Sequence, residues 1–266
     1  MRRLLVALDI DGTLLSYSGE LSPAVADAVR AVVDAGHHVV LSTGRGVLAT
    51  APVAQLLGLD DGFMVTSNGS VTSRLDPTTP AGYEVVETVT FDPAPALAVM
   101  HAEFPTAYFA VEEVGRGFRL NREFPPGELE GAQDVVSMEQ LGAHHVTRLV
   151  VRSPDHTSEE FHAAVQTLGL SDVTYAIGWT AWMDVAPDGV SKASALEKVR
   201  VELGVAAEDT IAVGDGSNDL EMLRWAARGI AMGHAPEHVR AAADEVTGTI
   251  EDDGAAHALR RVLGLR

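Results

Sequence analysis

The feature that most constrains this chain is an alternation of short apolar runs with helical patterns, broken once and then resumed. "RRLLVALDI" (residues 2–10) is a nearly continuous apolar run, as expected of a strand buried on both faces of a parallel sheet. "SPAVADAVRAVVDAG" follows, with Ser22 as N-cap, Pro23 in the first helical position and Gly36 at the stop. "HHVVLSTGR" predicts a second strand ending in a polar turn. "GVLATAPVAQLLG" predicts a helix that Pro52 interrupts or kinks. "GFMVTSNGS" predicts a third strand closing on the tight-turn pair Asn68-Gly69. The β-α-β-α-β order implies a parallel sheet with helices on both faces.

From about residue 84 to 187 the pattern changes. "YEVVETVTF" alternates, as a half-exposed antiparallel strand would, and a mixture of short strand and helix patterns follows. After Pro187 the original alternation returns with "SKASALEKVRVELG" and "TIAVGDGSND". The expected architecture is α/β: a Rossmann-like parallel-sheet core made of residues 1–83 and 188–266, with an inserted α+β cap at 84–187. Trp179 and Trp182 fall in the insert and Trp225 outside it.

Composition narrows the chemistry. The chain has 266 residues and 46% hydrophobic content, enough for a sizeable core. It has no cysteine, which excludes disulfides and thiolate metal sites. A net charge of -19 argues against a nucleic-acid partner, which would want a basic face. No segment approaches the roughly 20 apolar residues of a membrane span, and the N-terminal apolar run is too short for a signal peptide. The expected location is cytoplasmic, as a monomer or homodimer with no membrane partner.

Ligands in open parallel sheets bind at the carboxyl ends of the strands. Several polar clusters fall at such ends. Asp9 and Asp11 lie on one side of an extended chain. Alone they fit a pair of turn aspartates as well as a site, although Gly12 and Thr13 make "DIDGT" more specific than two spaced acids. Ser42-Thr43-Gly44-Arg45 fits a self-bonded turn or an anion cradle before a helix. Lys192 is oddly placed, because a cation disfavours a helix N-terminus. Asp215, Asn218 and Asp219 offer hard oxygen ligands suited to magnesium, and capping groups for a helix. Together they supply a nucleophile, a proton carrier, an anion cradle and a divalent cation site, which is equipment for phosphoryl transfer.

These motifs resemble those of the haloacid dehalogenase-like (HAD) hydrolases, in the Cof-type branch with a type IIB cap. "DIDGT" at 9–13, Thr43 in "STGR", Lys192 in "GVSKASAL" and "GDGSND" at 214–219 match the family's motifs in order. "SNG" at 67–69 and "AMG" at 231–233 match the branch. Ala193 and His234 depart from it, where Gly and Asn are common. The resemblance implies that Asp9 attacks phosphorus and that Asp11 carries the proton. It implies Mg2+ held by the Asp9 carboxylate, the Asp11 main-chain carbonyl and the Asp215 carboxylate, with Asp219 in support. It places the Ile10 backbone, Thr43, Gly44, Lys192 and Asn218 on the phosphate. Arg45 would be a substrate-side helper or a structural ion pair. The cap would select a small phosphorylated metabolite such as a sugar phosphate. Trp179 and Trp182 would stack on it or pack in the cap, and Glu112, Glu113, Arg116 and Arg122 would be candidates for reading its polar groups. The expected activity is a phosphomonoesterase; a phosphomutase and a phosphate-binding protein without turnover are the alternatives.

Overall fold

A computed structural model describes residues 3–170, 173–177 and 180–264. The strands are β1 (Leu5–Leu8), β2 (His38–Ser42), β3 (Phe63–Thr66), β4 (Val71–Leu75), β5 (Tyr83–Thr88), β6 (Tyr108–Glu113) and β7 (Gly117–Leu120). The remainder are β8 (Ala132–Val135), β9 (Leu149–Arg152), β10 (Val173–Ile177), β11 (Trp182–Pro187), β12 (Thr210–Gly214), β13 (Arg228–Ala231) and β14 (Glu245–Val246). They form an eight-stranded sheet, β14-β13-β12-β1-β2-β3-β4-β5, and a six-stranded sheet, β10-β11-β9-β6-β7-β8. Strands β14 to β3 run parallel; β4 and β5 close the large sheet antiparallel.

The continuous apolar run of β1 has a direct cause. Val6 and Leu8 face one core, packed with Val29 and Val32 of the helix Pro23–Asp34 and Leu259 of the helix Gly254–Val262. Leu5 and Ala7 face the other, with Leu196 and Val199 of the helix Lys192–Glu202 and Met222 of the helix Leu220–Trp225. Each fully buried Leu or Val contributes about 1.5–3 kcal/mol, so the strand at the centre of the sheet is held from both faces. Ser22 caps its helix as expected, accepting from the Val25 N–H at 3.2 Å.

The six-stranded sheet has its own two cores. Phe104, Phe109 and Phe161 lie in one, and Phe118, Phe124 and Val150 in the other. Its strands pair antiparallel, except for parallel β7 and β8.

Sequence and structure differ at three places. "YEVVETVTF" was expected to open the inserted segment, but β5 hydrogen-bonds to β4 as the last strand of the large sheet. Alternation marks a half-exposed strand without saying which sheet it joins. The helix Val47–Leu56 runs through Pro52 rather than breaking there. The edge strand β8 was not anticipated, because "AQDV" is largely exposed and carries no apolar alternation. No helix among the described residues is long and apolar enough to cross a membrane.

The turn after β3 fixes two parts of the fold at once. Ser67 and Asn68 both have positive φ (51° and 55°), and Gly69 follows at 103°. A Cβ on Gly69 would overlap the main-chain carbonyl of Ser191, next to the first residue of the helix Lys192–Glu202. Gly69→Ala is therefore expected to cost about 2–4 kcal/mol of stability, from backbone strain and overlap together. Chemical denaturation measures it; a loss below 1 kcal/mol, on the order of an ordinary surface change, would contradict the close approach.

Candidate active site

Adjacent strands β12, β1, β2 and β3 end side by side, so the polar residues after each of them meet. Asp9 continues the β1 ladder, its N–H donating to the Val213 carbonyl at 3.0 Å. Ile10 turns inward and is wholly buried in the core. Its carbonyl accepts from the N–H groups of Leu14 and Leu15 at 2.9 and 2.8 Å. This anchor puts Asp9 and Asp11 on the opposite side, toward the site. Gly12 turns the chain at φ 75°, and a Cβ there would overlap the Asp215 carboxylate.

At the centre lies Lys192. Its ammonium is fully buried and donates to Asp9 Oδ1 at 2.7 Å and Asp219 Oδ1 at 2.5 Å. The other Asp219 oxygen accepts from the N–H groups of Asp215 and Gly216 at 2.9 and 2.8 Å. Asp219 thus ties the turn after β12 to the lysine. A capping box, Ser191 with Ser194, starts the helix that carries Lys192. Burial alone would lower the lysine's pKa, but Asp219 and Asp9 outweigh it and hold the ammonium above the ordinary lysine range.

The carboxylates are under the opposite stress. Burial first, then the charge of Asp219, pushes the Asp9 pKa well up, against the pull of Lys192. Asp215 is raised by burial and by Asp219. It accepts from the Tyr17 hydroxyl at 2.7 Å, and His234 Nε2 stands 3.5 Å from the same oxygen. Carboxylate oxygens of Asp9, Asp215 and Asp219 lie within 4.8 Å of one another. Three buried carboxylates and one ammonium leave negative charge uncompensated, and all-oxygen donors suit a hard divalent cation. The residues therefore fit magnesium.

Asp11 stands apart from this cluster. Arg45 grips its carboxylate with two hydrogen bonds, Nε to Oδ2 at 2.8 Å and Nη2 to Oδ1 at 2.5 Å. Of the two alternatives for Arg45, the structure shows the ion pair. Thr43 is buried, and its hydroxyl accepts the Arg45 N–H at 3.1 Å. Gly44 lines the cavity beside Asn218, whose amide donates to Asn68 Oδ1 at 3.0 Å.

The six-stranded sheet holds this floor from above. The Glu112 carboxylate accepts from the Ser67 and Thr147 hydroxyls at 2.6 and 3.0 Å. Arg148 Nη1 donates to the Gly44 carbonyl at 2.6 Å, and Arg148 lies 3.7 Å from both Glu112 and Asp184. The strained Ser67-Asn68 turn is thereby braced by β6 and β9 and their flanks. Among the cap candidates, Glu112 and Glu113 line the cavity; Arg116 instead bridges Glu113 and Asp134, and Arg122 lies over the Tyr108 ring. Trp182 both lines the cavity and packs edge-on against Phe124. Trp179 lies outside the described residues. Tyr17, Arg148 and Asp184 carried no sequence signal toward the site; Asn68 had only its place in "SNG", and His234 only its departure from the branch.

The order of the strand-end residues and the inserted second sheet now meet the family comparison. A model of the haloacid dehalogenase-like hydrolases matches residues 6–259. The chain belongs to this family. It is 30% identical over 262 residues to the 5-amino-6-(5-phospho-D-ribitylamino)uracil phosphatase of Bacillus subtilis, covering 96% of this chain and 94% of that protein. It is 34% identical over 256 residues to the phosphoglycolate phosphatase of Natronomonas pharaonis, covering 96% of each. A solved HAD phosphatase from Bacteroides thetaiotaomicron superposes with TM-score 0.77 at 26% identity, covering 98% of this chain and 95% of that one. A HAD subclass IIB sugar phosphatase shares the fold, with TM-score 0.81 at 24% identity over 98% and 99% of the two chains. The fold of this haloacid dehalogenase-like hydrolase is thus a Rossmann-like core with an inserted α+β cap.

A raised carboxylate pKa means that the ionised form is disfavoured in the folded state. At neutral pH the charge on Asp215 therefore subtracts from the stability of the metal-free protein. Asp215→Asn is expected to raise the metal-free Tm by about 2–4 °C and to remove most of the further rise that magnesium gives the wild type. Thermal unfolding with and without magnesium checks both; an undiminished magnesium response in the variant would remove Asp215 from the cation site.

Proposed function

We propose that this protein is a magnesium-dependent phosphomonoesterase that hydrolyses a small phosphorylated metabolite through an aspartyl-phosphate on Asp9. The observation that carries the reading is the buried Lys192 ammonium bonded to Asp9 at the floor of a large cavity. The ammonium pins one carboxylate oxygen and leaves the other able to attack. The family match supports the same reading, as do relatives named as phosphatases of two different phosphorylated compounds.

Asp9, the Asp11 main-chain carbonyl and Asp215 would hold magnesium, with Asp219 supporting from behind. The cation, when bound, offsets the charge of the carboxylates and of the phosphate. The remaining work falls to the chain. Thr43, Gly44, the Ile10 backbone, Lys192 and Asn218 orient the phosphate oxygens. An Asp9 oxygen attacks phosphorus, forming the Asp9 O–P bond as the ester O–P bond breaks. Asp11 gives its proton to the departing oxygen. The alcohol leaves, and a water takes its place. Asp11, now a carboxylate, takes the water's proton as its oxygen attacks phosphorus. The Asp9 O–P bond breaks and inorganic phosphate leaves. In the resting state Arg45 occupies both Asp11 carboxylate oxygens, so this pair must open for Asp11 to exchange a proton with substrate or water.

The protein is expected to release inorganic phosphate from p-nitrophenyl phosphate with magnesium and to stop when the metal is chelated. Asp9→Asn should lose at least about a thousandfold in kcat, as removal of a nucleophile does, while keeping its fold. Undiminished turnover in that variant would overturn the assignment of Asp9. Conversion of one phospho-isomer into another without phosphate release would favour a mutase.

A further inference from the structure

The cavity above Asp9 has a volume of about 1360 Å3, far more than a phosphate needs. Its roof belongs to the inserted segment and is strongly acidic. Glu112, Glu113, Glu128, Glu130, Glu159 and Asp184 all line it. Among the described residues of the insert, Arg148 is the one lysine or arginine in that lining. Arg148 is already engaged. It donates to the Gly44 carbonyl and lies between Glu112 and Asp184, with its guanidinium over the Phe118 ring at 5.2 Å. Turning it toward a ligand would leave two carboxylates facing each other.

Arg45, Lys192 and Arg224 of the core also line the cavity, and other arginines offset part of the roof's charge from outside it. Arg116 and Arg119 pair with Glu113, and Arg152 with Glu128 at 2.8 Å. Glu130 and Glu159 are exposed at the cavity's edge. The balance over the leaving-group space is negative, and the net charge of -19 adds to it. A second anion on the substrate would sit within a Debye length, about 8 Å at physiological salt, of several like charges. Hydroxyl or ammonium groups would instead find acceptors, and the aromatic residues Trp182 and Tyr175 belong to the same lining.

We propose that the cap selects phosphomonoesters whose leaving group is uncharged or cationic, and rejects those that carry a carboxylate or another second anion. The discrimination is electrostatic and negative: among the described residues of the insert that line the cavity, the one arginine is already committed and cannot receive the second charge. The proposal rests on the phosphatase reading, and the two fail in different ways.

Three aryl esters of matched size separate them: phenyl phosphate, 4-carboxyphenyl phosphate and 4-(aminomethyl)phenyl phosphate, compared by kcat/KM at low ionic strength with saturating magnesium. The carboxylated ester is expected to be poorer than phenyl phosphate by about tenfold or more, and the ammonium ester equal or better. Added salt should narrow the gap. Glu130→Gln with Glu159→Gln, both at exposed positions, should narrow the gap between the carboxylated ester and phenyl phosphate by about threefold or more. Equal turnover of the carboxylated and plain esters would overturn the proposal, as would a penalty that neither salt nor the double variant relieves. If phenyl phosphate itself is not hydrolysed, the phosphatase reading falls and takes the selectivity with it.

Discussion

One buried ammonium organises this molecule. Lys192 lies between Asp9 at the end of β1 and Asp219 after β12, joining two neighbouring strand ends to the helix that carries it. A buried charge without partners is costly; the ammonium has both carboxylates, and each carboxylate has the ammonium. The same arrangement leaves a surplus of negative charge, because Asp215 adds a third buried carboxylate beside the pair. The cluster is stable as a protein feature and incomplete as an electrostatic one. On the proposed reading, a divalent cation and a phosphate bound to it would complete it together.

The second constraint is the brace between the two sheets. Two consecutive residues with positive φ, Ser67 and Asn68, cost about 1–3 kcal/mol each. The surroundings hold them in place. The Ser67 N–H donates to the Arg45 carbonyl and the Asn68 N–H to the Thr43 carbonyl, at 2.8 and 3.0 Å. Glu112 accepts the Ser67 hydroxyl from the cap side. The turn therefore links Thr43, Gly44 and Asn218 to the sheet that roofs the cavity. The floor that carries Asp9 and the roof of the cavity are joined by hydrogen bonds, and on the proposed reading that unit would set where a substrate's two ends lie.

Much of this was legible in the sequence because it follows from local rules. The apolar run of β1 is buried on both faces, Ser22 and Ser191 cap the helices they precede, and Asp9, Thr43 and Asp215 stand at strand ends that prove adjacent. What was hidden depends on pairing across long separations. Tyr17 meets Asp215 and Arg148 meets Gly44, and no periodicity announces either contact. Arg45 showed its position but not its choice of Asp11. The alternation in "YEVVETVTF" marked a strand, yet the choice of sheet belongs to the hairpin with β4. The acidity of the cavity roof was likewise invisible in the overall charge, because most acidic residues simply face water.

The central claim is that the Asp9 carboxylate oxygen left free by Lys192 becomes covalently attached to phosphorus. Rapid acid quench during turnover of an aryl phosphate, followed by proteolysis and mass spectrometry of the peptides, tests it directly. The account predicts one phosphoryl group on the peptide that contains Asp9, formed faster than steady-state turnover and absent in Asp9→Asn. Steady release of phosphate with no covalent adduct, or an adduct on any other residue, would contradict it.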